Sequence, residues 1–389
     1  MKRSSIILSV VGIAAFVAVL VGTYFVGQYL VSNLDQQDSG VTDSDRAKQN
    51  SVRGRAGSSD KTDGESSSDV TPEDDKTSVR VWPIYIATMT HLEGTWTEAA
   101  TNKAYFSKVA NQMRYGMDVA DEYGAILTFE SEKPFAKGSA TFKDNVLKEA
   151  LDRGHGVGTH CDVGPKVDLG TQAIIKEFKD RKDLVDALVG AENNLGCSGG
   201  GGKSDWYAGA VGAGFSYLDG TVAFHYMALP QSERPTGWTD DAIQQEFFHD
   251  PAPQNESYYY PFLIKALGFS ESAAGNLLIT NGSIGDVRDL AEIQPLGLDS
   301  PDATCGDTCP FTDDDAKAAE AFIRDFVAKD DHSRPGKITF YFPTAAFDKK
   351  NEEALRTFFS TMKKLSDEGL VQWASQRQVY DAMMEYYRK

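Results

Sequence analysis

The chain has 389 residues, enough for one large domain or two ordinary ones, and carries a formal net charge of −18 with a pI near 4.8. That balance excludes a nucleic-acid partner, whose phosphates require clustered Lys and Arg, and describes a well-solvated acidic surface.

Lys2 and Arg3 are followed by no charged residue until Asp35. The stretch between them is long enough for about 40 Å of apolar helix, more than a bilayer core needs. Residues 4–34 are therefore expected to be an uncleaved membrane anchor. A signal peptide has a shorter apolar region, roughly 7–15 residues, and ends in a small-residue cleavage site that QYLVSNLD lacks. Positive charge before the span and Asp35 and Asp38 after it put the N-terminus in the cytoplasm and the remainder outside. Residues 35–79, dominated by Ser, Asp, Gly, Lys and Thr, read as a disordered tether to a folded domain over residues 80–389. Four cysteines in an exported domain point to disulfides, and their spacing favours Cys161–Cys197 and Cys305–Cys309.

From Arg80 onward, strand-like and helix-like blocks alternate. Val81–Met89 is β-branched and aromatic and reads as a buried strand, and Ala104–Glu122 has apolar residues at helical spacing. Ala125–Phe129 is a second strand, Asp144–Arg153 an amphipathic helix stopped by Gly154, and His155–Thr159 leads into a third strand. Lys182–Gly190 reads as helix, CSGGGGKSDW as a turn into a helix reaching Ala210, and Phe215–Leu218 as strand. The last third repeats the alternation: Asn276–Thr280, Asp313–Ala328, Lys337–Phe342, Asn351–Glu368, Val371–Ala374 and a closing helix. Such alternation predicts a mostly parallel sheet with helical crossovers, which a closed barrel and an open doubly wound sheet both satisfy. No G-x-G-x-x-G or Walker-type loop follows a strand, which favours the barrel. In either architecture chemistry gathers at the C-terminal ends of the strands.

Those ends carry a pattern. The first strand closes on Thr90-His91-Leu92-Glu93, the second on Glu130-Ser131-Glu132, and the third on His160-Cys161-Asp162. Residues two apart share a face while strand geometry persists, so two strands present an imidazole beside a carboxylate. Such a set suits zinc or a similar divalent ion, which polarises a carbonyl and lowers the pKa of water.

The segment from Leu151 to His160, LDRGHGVGTH, resembles the G-H-x-[IV]-x-x-H signature of the polysaccharide deacetylase (NodB-homology) family. The order of elements over residues 80–389 is similar as well, with the specific match confined to Gly154–His160. The resemblance implies an α/β fold, a distorted (β/α)7 TIM-like barrel, and removal of acetyl groups from a polysaccharide at a metal centre. It carries His160 over as a metal ligand and Glu93 onto the metal-binding Asp of the family's T-F-D-D-G motif, and it makes His155 structural. Three positions depart from the pattern. Leu92 stands where the family has its catalytic base, Gly164 where it has its second histidine ligand, and no histidine lies near Phe340–Thr344, where a general acid is expected.

Local residues are available to fill these gaps. His91 is the candidate third ligand beside Glu93 and His160, Glu130 or Asp162 the candidate base, and His225 the candidate proton donor. Tyr341 is placed to bind substrate or donate a proton. In the glycine-rich loop, Asp205 and Trp206 form a candidate sugar-binding pair, an aromatic platform beside a carboxylate, with Trp96 as a second platform. The leading expectation is a membrane-anchored, metal-dependent deacetylase-like hydrolase acting on a cell-surface or extracellular glycan. Two alternatives use the same barrel: glycoside hydrolysis by two carboxylates from Glu130, Glu93 and Asp162, and glycan binding without catalysis.

Overall fold

A strand buried on both faces needs residues that can be buried at nearly every position, and IYIATMTH, apolar but for Thr88 and Thr90, is buried up to its final histidine. It forms β1 (Ile84–His91), which pairs with three other strands. The structure, a computed structural model, describes residues 81–93, 98–293 and 310–388, all within one compact unit, Lys76–Lys389. The expected anchor, the tether, Trp96 and the pair Cys305–Cys309 lie outside the described residues. Among the described residues no helix is long and apolar enough to cross a membrane.

Nine further strands follow: β2 (Thr128–Ser131), β3 (Gly156–His160), β4 (Gly196–Ser198), β5 (Tyr217–Asp219), β6 (Phe262–Ile264), β7 (Leu277–Thr280), β8 (Ser283–Asp286), β9 (Gly336–Tyr341) and β10 (Gln372–Trp373). Strands β1 to β5 pair in sequence, all parallel, and β5 pairs with β7, also parallel. On its other edge β1 pairs with β9, and β9 pairs with β8. Only Asn281 and Gly282 separate β7 from β8, so the segment 277–286 belongs to both ends of the row and closes it into a ring of seven strand positions.

The closure depends on a glycine. Gly282 has φ +91°, and a Cβ there would lie 2.3 Å from the carbonyl oxygen of Lys337. The Thr339 amide donates to the Gly282 carbonyl at 2.7 Å across this junction. The ring is distorted: β1 and β2 pair only at their outer ends, and β10 pairs with the inner part of the same β1 edge, at Tyr85 and Ile86. β6 lies antiparallel against β7.

The principal helices are α1 (Lys103–Glu122), α2 (Lys133–Phe142), α3 (Val146–Asp152), α4 (Thr171–Val189), α5 (Trp206–Ala213), α6 (Asp313–Lys329), α7 (Glu352–Asp367) and α8 (Gln376–Tyr387). Their inward faces bury residues such as Phe106, Met113, Ile323, Phe358 and Phe359 against the outer face of the ring. Three strands went unread in the sequence. β4 is three residues of glycine, cysteine and serine, β6 is also three residues and β8 is four.

Candidate functional site

The C-terminal ends of the strands converge on one cavity of about 250 Å³. Its wall includes His91, Glu93, His160, Asp162 and Tyr341, together with the backbone of Gly199–Gly201. Strand register accounts for the convergence. His91 stands beside Glu130 across β1 and β2, His160 beside Ser198 across β3 and β4, and Ser198 beside Asp219 across β4 and β5.

The rings of His91 and His160 stack with centroids 4.0 Å apart. Glu93 bridges them: one oxygen lies 3.4 Å from His91 Nδ1 and the other 3.6 Å from His160 Nε2. The three residues offer ligand atoms all within 4.8 Å of one another. Zinc bonds of about 2.0–2.2 Å in a tetrahedron place neighbouring ligands roughly 3.3–3.6 Å apart, so the donor set and its spacing fit a divalent ion.

The far side of each ring strengthens that fit, because a ligating imidazole ordinarily hands its other nitrogen to an acceptor that fixes the ring. His91 Nε2 faces Glu130 Oε2 at 3.2 Å, and His160 Nδ1 lies 3.0 Å from Ser198 Oγ. Glu130 thus backs the His91 ring and Ser198 the His160 ring. Burial would lower the His91 pKa, but Glu130 and Glu93 outweigh it and raise the value to about 10. Burial works against the Glu93 anion too, yet His160 and His91 hold its carboxyl far below the usual range.

Glycines shape the site. A Cβ on Gly199 (φ +66°) would lie 2.8 Å from the His160 ring, and one on Gly201 would lie 2.8 Å from His225 Nδ1. On β3, Gly158 leaves the space into which Glu130 leans, since a Cβ there would sit 3.2 Å from Glu130 Cγ. The expected Cys161–Cys197 disulfide is present and ties β3 to β4 immediately beside His160 and Ser198.

Several expectations are corrected. Trp206 is fully buried, its indole N–H donating to the His225 carbonyl at 3.0 Å, so it is a core residue and no sugar platform. Asp205 is the N-cap of α5, accepting from the Ala208 amide at 2.9 Å, and it does not line the cavity. His225 reaches the cavity wall, but its Nε2 is 3.1 Å from the Gly199 carbonyl and its Nδ1 accepts from the Val222 amide at 3.1 Å. Burial lowers its pKa to about 4, leaving a neutral ring whose nitrogens are both engaged by backbone, which is unsuited to donate a proton. Glu130 is buried, off the cavity wall and against the His91 ring, so it is not placed there to act as a base.

Asp162 and Tyr341 do line the cavity. Asp162 Oδ1 accepts from the Gly164 amide at 2.7 Å, and the Tyr341 ring lies 5.3 Å from that of His91. His155 is structural as expected: Nδ1 accepts from the Leu127 amide at 3.1 Å and Nε2 lies 3.2 Å from Asp121. Sequence reasoning missed Ser198, Asp219 and Lys337. The available signal was the closing residue of each short strand, in GCS and YLD, and a lysine inside the apolar run of β9.

No family model matches the chain, and no curated protein does. Solved structures of similar outline are low in identity. One is a protein described as a polysaccharide deacetylase from Mycobacterium smegmatis, at 14% identity over 82% of this chain and 96% of that one, with a TM-score of 0.48. Another is Puue allantoinase, at 10% identity over 77% and 89%, with a TM-score of 0.48. A third is 4-alpha-glucanotransferase from Thermococcus litoralis, at 11% identity over 76% and 38%, with a TM-score of 0.46. These names cover three reactions, so the choice of chemistry falls to the side chains.

Proposed function

We propose that the chain is a metal-dependent hydrolase of the deacetylase type, acting on an acylated glycan outside the membrane that residues 4–34 anchor it to. The observation that carries this reading is the convergence of His91, Glu93 and His160 on one point of the cavity wall, each imidazole backed by its own acceptor. A divalent ion held there, zinc being the best match to two imidazoles and a carboxylate, supplies Lewis acidity to an acyl carbonyl and makes nearby water more acidic.

The chain's own groups do the rest. Asp162, on the same wall, is positioned to take a proton from water, and Tyr341 to orient the substrate against His91. Among the described residues the cavity wall carries no Lys or Arg. Beyond the histidines and the ion they would hold, the wall offers no basic side chain to pair with a phosphate, sulfate or uronate group, which favours a neutral acylated sugar. The burial of Glu130 away from the cavity weakens the two-carboxylate glycosidase alternative, and the burial of Trp206 removes the platform that a purely glycan-binding barrel would have used.

Acetate release from N- and O-acetylated oligosaccharides by the purified chain, with and without a chelator, tests the reading. Release should require the ion, and His160→Ala should lower kcat/KM by at least about a hundredfold. Turnover that is indifferent to chelation and to that substitution would refute it.

A further inference from the structure

The cavity wall holds a carboxylate that the proposed reaction does not use. Asp286, the last residue of β8, is 5% exposed and lines the cavity. Its direction is set by a break in strand alternation. Ser283 pairs with Thr339 and Asp286 with Tyr341, so three steps along β8 match two along β9. Residues paired across a sheet point to the same side, and Asp286 therefore points with Tyr341, into the cavity. Regular alternation would have turned it the way of Ile284, which packs into the hydrophobic core. The extra residue makes a bulge, and Gly285, at φ +108°, supplies the backbone conformation for it. Val287 then returns to the core.

A buried carboxylate turned into a cavity needs donors, and Arg288 provides three. Its amide lies 2.9 Å and its Nε 3.1 Å from Asp286 Oδ1, and its Nη2 lies 2.8 Å from Oδ2. Arg288 is itself buried and is not part of the cavity wall. A carboxylate has about four acceptor positions, so these three bonds leave one on Oδ2. The guanidinium fork fixes the plane of the carboxylate and balances its charge. What faces the cavity is an oriented hydrogen-bond acceptor rather than a seat for a cation.

We propose that Asp286 is a specificity-determining residue that accepts a hydrogen bond from a sugar hydroxyl of the substrate whose acyl group sits at His91, Glu93 and His160. The inference rests on the hydrolase reading for the identity of the ligand, though not for the aim of Asp286. Tyr341 lies between the two places, paired with Asp286 and with its ring 5.3 Å from that of His91. β8 and β1 are two strand spacings apart, on the order of 10 Å, which a sugar ring and its acyl group span together. A hydroxyl is the matching donor, because it is neutral, as an acceptor already balanced by arginine requires.

Calorimetric binding and initial rates on the full-length, zinc-loaded chain test this. The saccharide probes are N-acetylchitotetraose and O-acetylated xylotetraose, and p-nitrophenyl acetate is an ester without hydroxyls. Asp286→Asn keeps the shape and removes the charge. It should weaken binding of at least one tetrasaccharide by about tenfold or more, and lower kcat/KM for that saccharide at least about tenfold further than for the ester. Losses in step for saccharide and ester would mark a merely structural pair and overturn the proposal. Should the variant not fold, a crystal structure of wild type with the tetrasaccharide decides. A hydroxyl about 2.6–3.0 Å from Asp286 Oδ2 would support the assignment, and a saccharide seated elsewhere would overturn it. If wild type binds neither tetrasaccharide, the inference falls even where ion-dependent ester hydrolysis sustains the hydrolase reading. If it takes up no ion and hydrolyses nothing, the hydrolase reading falls, and saccharide binding weakened by Asp286→Asn still upholds the inference.

Discussion

His91 is the residue on which the site turns, because its two nitrogens face opposite ways, one to Glu93 and the cavity and one to Glu130 and the core. Removing Glu130 acts through that ring. Glu130→Gln should lower zinc affinity by about 10–100-fold and leave the ligand set intact, as titration against a competing chelator would show. A histidine beside a carboxylate at a strand end was legible in the sequence from spacing alone, as was Cys161 facing away from its neighbours. The roles of Glu130, Trp206 and His225 were not, because residue type does not report depth. Trp206 and Glu130 look like binding-site residues in a one-dimensional reading, yet both lie inside. Trp206→Ala should therefore cost about 3–5 kcal/mol of folding stability in a denaturant titration while leaving saccharide affinity per folded molecule unchanged.

At the scale of elements, the site is assembled by the short strands β2 to β5, and glycines set how closely they approach. Gly199→Ala introduces a Cβ at φ +66° against His160, so it should weaken zinc binding by about tenfold or more and cost about 1–2 kcal/mol, read from calorimetric titration and thermal melting. The Cys161–Cys197 bridge closes a span of 36 residues around α4, so replacing both cysteines with alanine should cost about 3–4 kcal/mol in a denaturant titration of stability. Long elements such as α1, α6 and α7 were readable from helical periodicity, as was the apolar run of β1. β4, β6 and β8 were not, since three or four residues show no period, and α2 was missed because its sequence, KPFAKGSATF, is short and carries a proline and a glycine. Asp219 and Lys337 belong to this scale also. Their proximity emerges only when β5 and β9 are brought across the ring.

For the whole molecule, the buried charges predict how stability follows pH. In the metal-free fold the His91 pKa is raised from 6.5 to about 10, so the stability it contributes is fully present below about pH 6.5 and is lost as pH rises toward 10. His225 runs the other way. Its pKa is lowered to about 4, so its contribution is present above about pH 6.5 and is lost as pH falls toward 4. The melting temperature of the chelated protein should peak near pH 6.5, and saturating zinc should flatten the alkaline limb, because an imidazole engaged by a metal ion has no proton to release.

The ring of seven strand positions brings the ends of β1 and β3 over a single point, and X-ray absorption at the zinc edge of the loaded full-length chain tests that claim most directly. The spectrum should report one ion per chain, with two imidazole nitrogens and carboxylate oxygen at about 2.0–2.2 Å, and His91→Ala should reduce the imidazole count to one. A protein that takes up no stoichiometric ion, or an ion whose imidazole count is unchanged by His91→Ala, would contradict it.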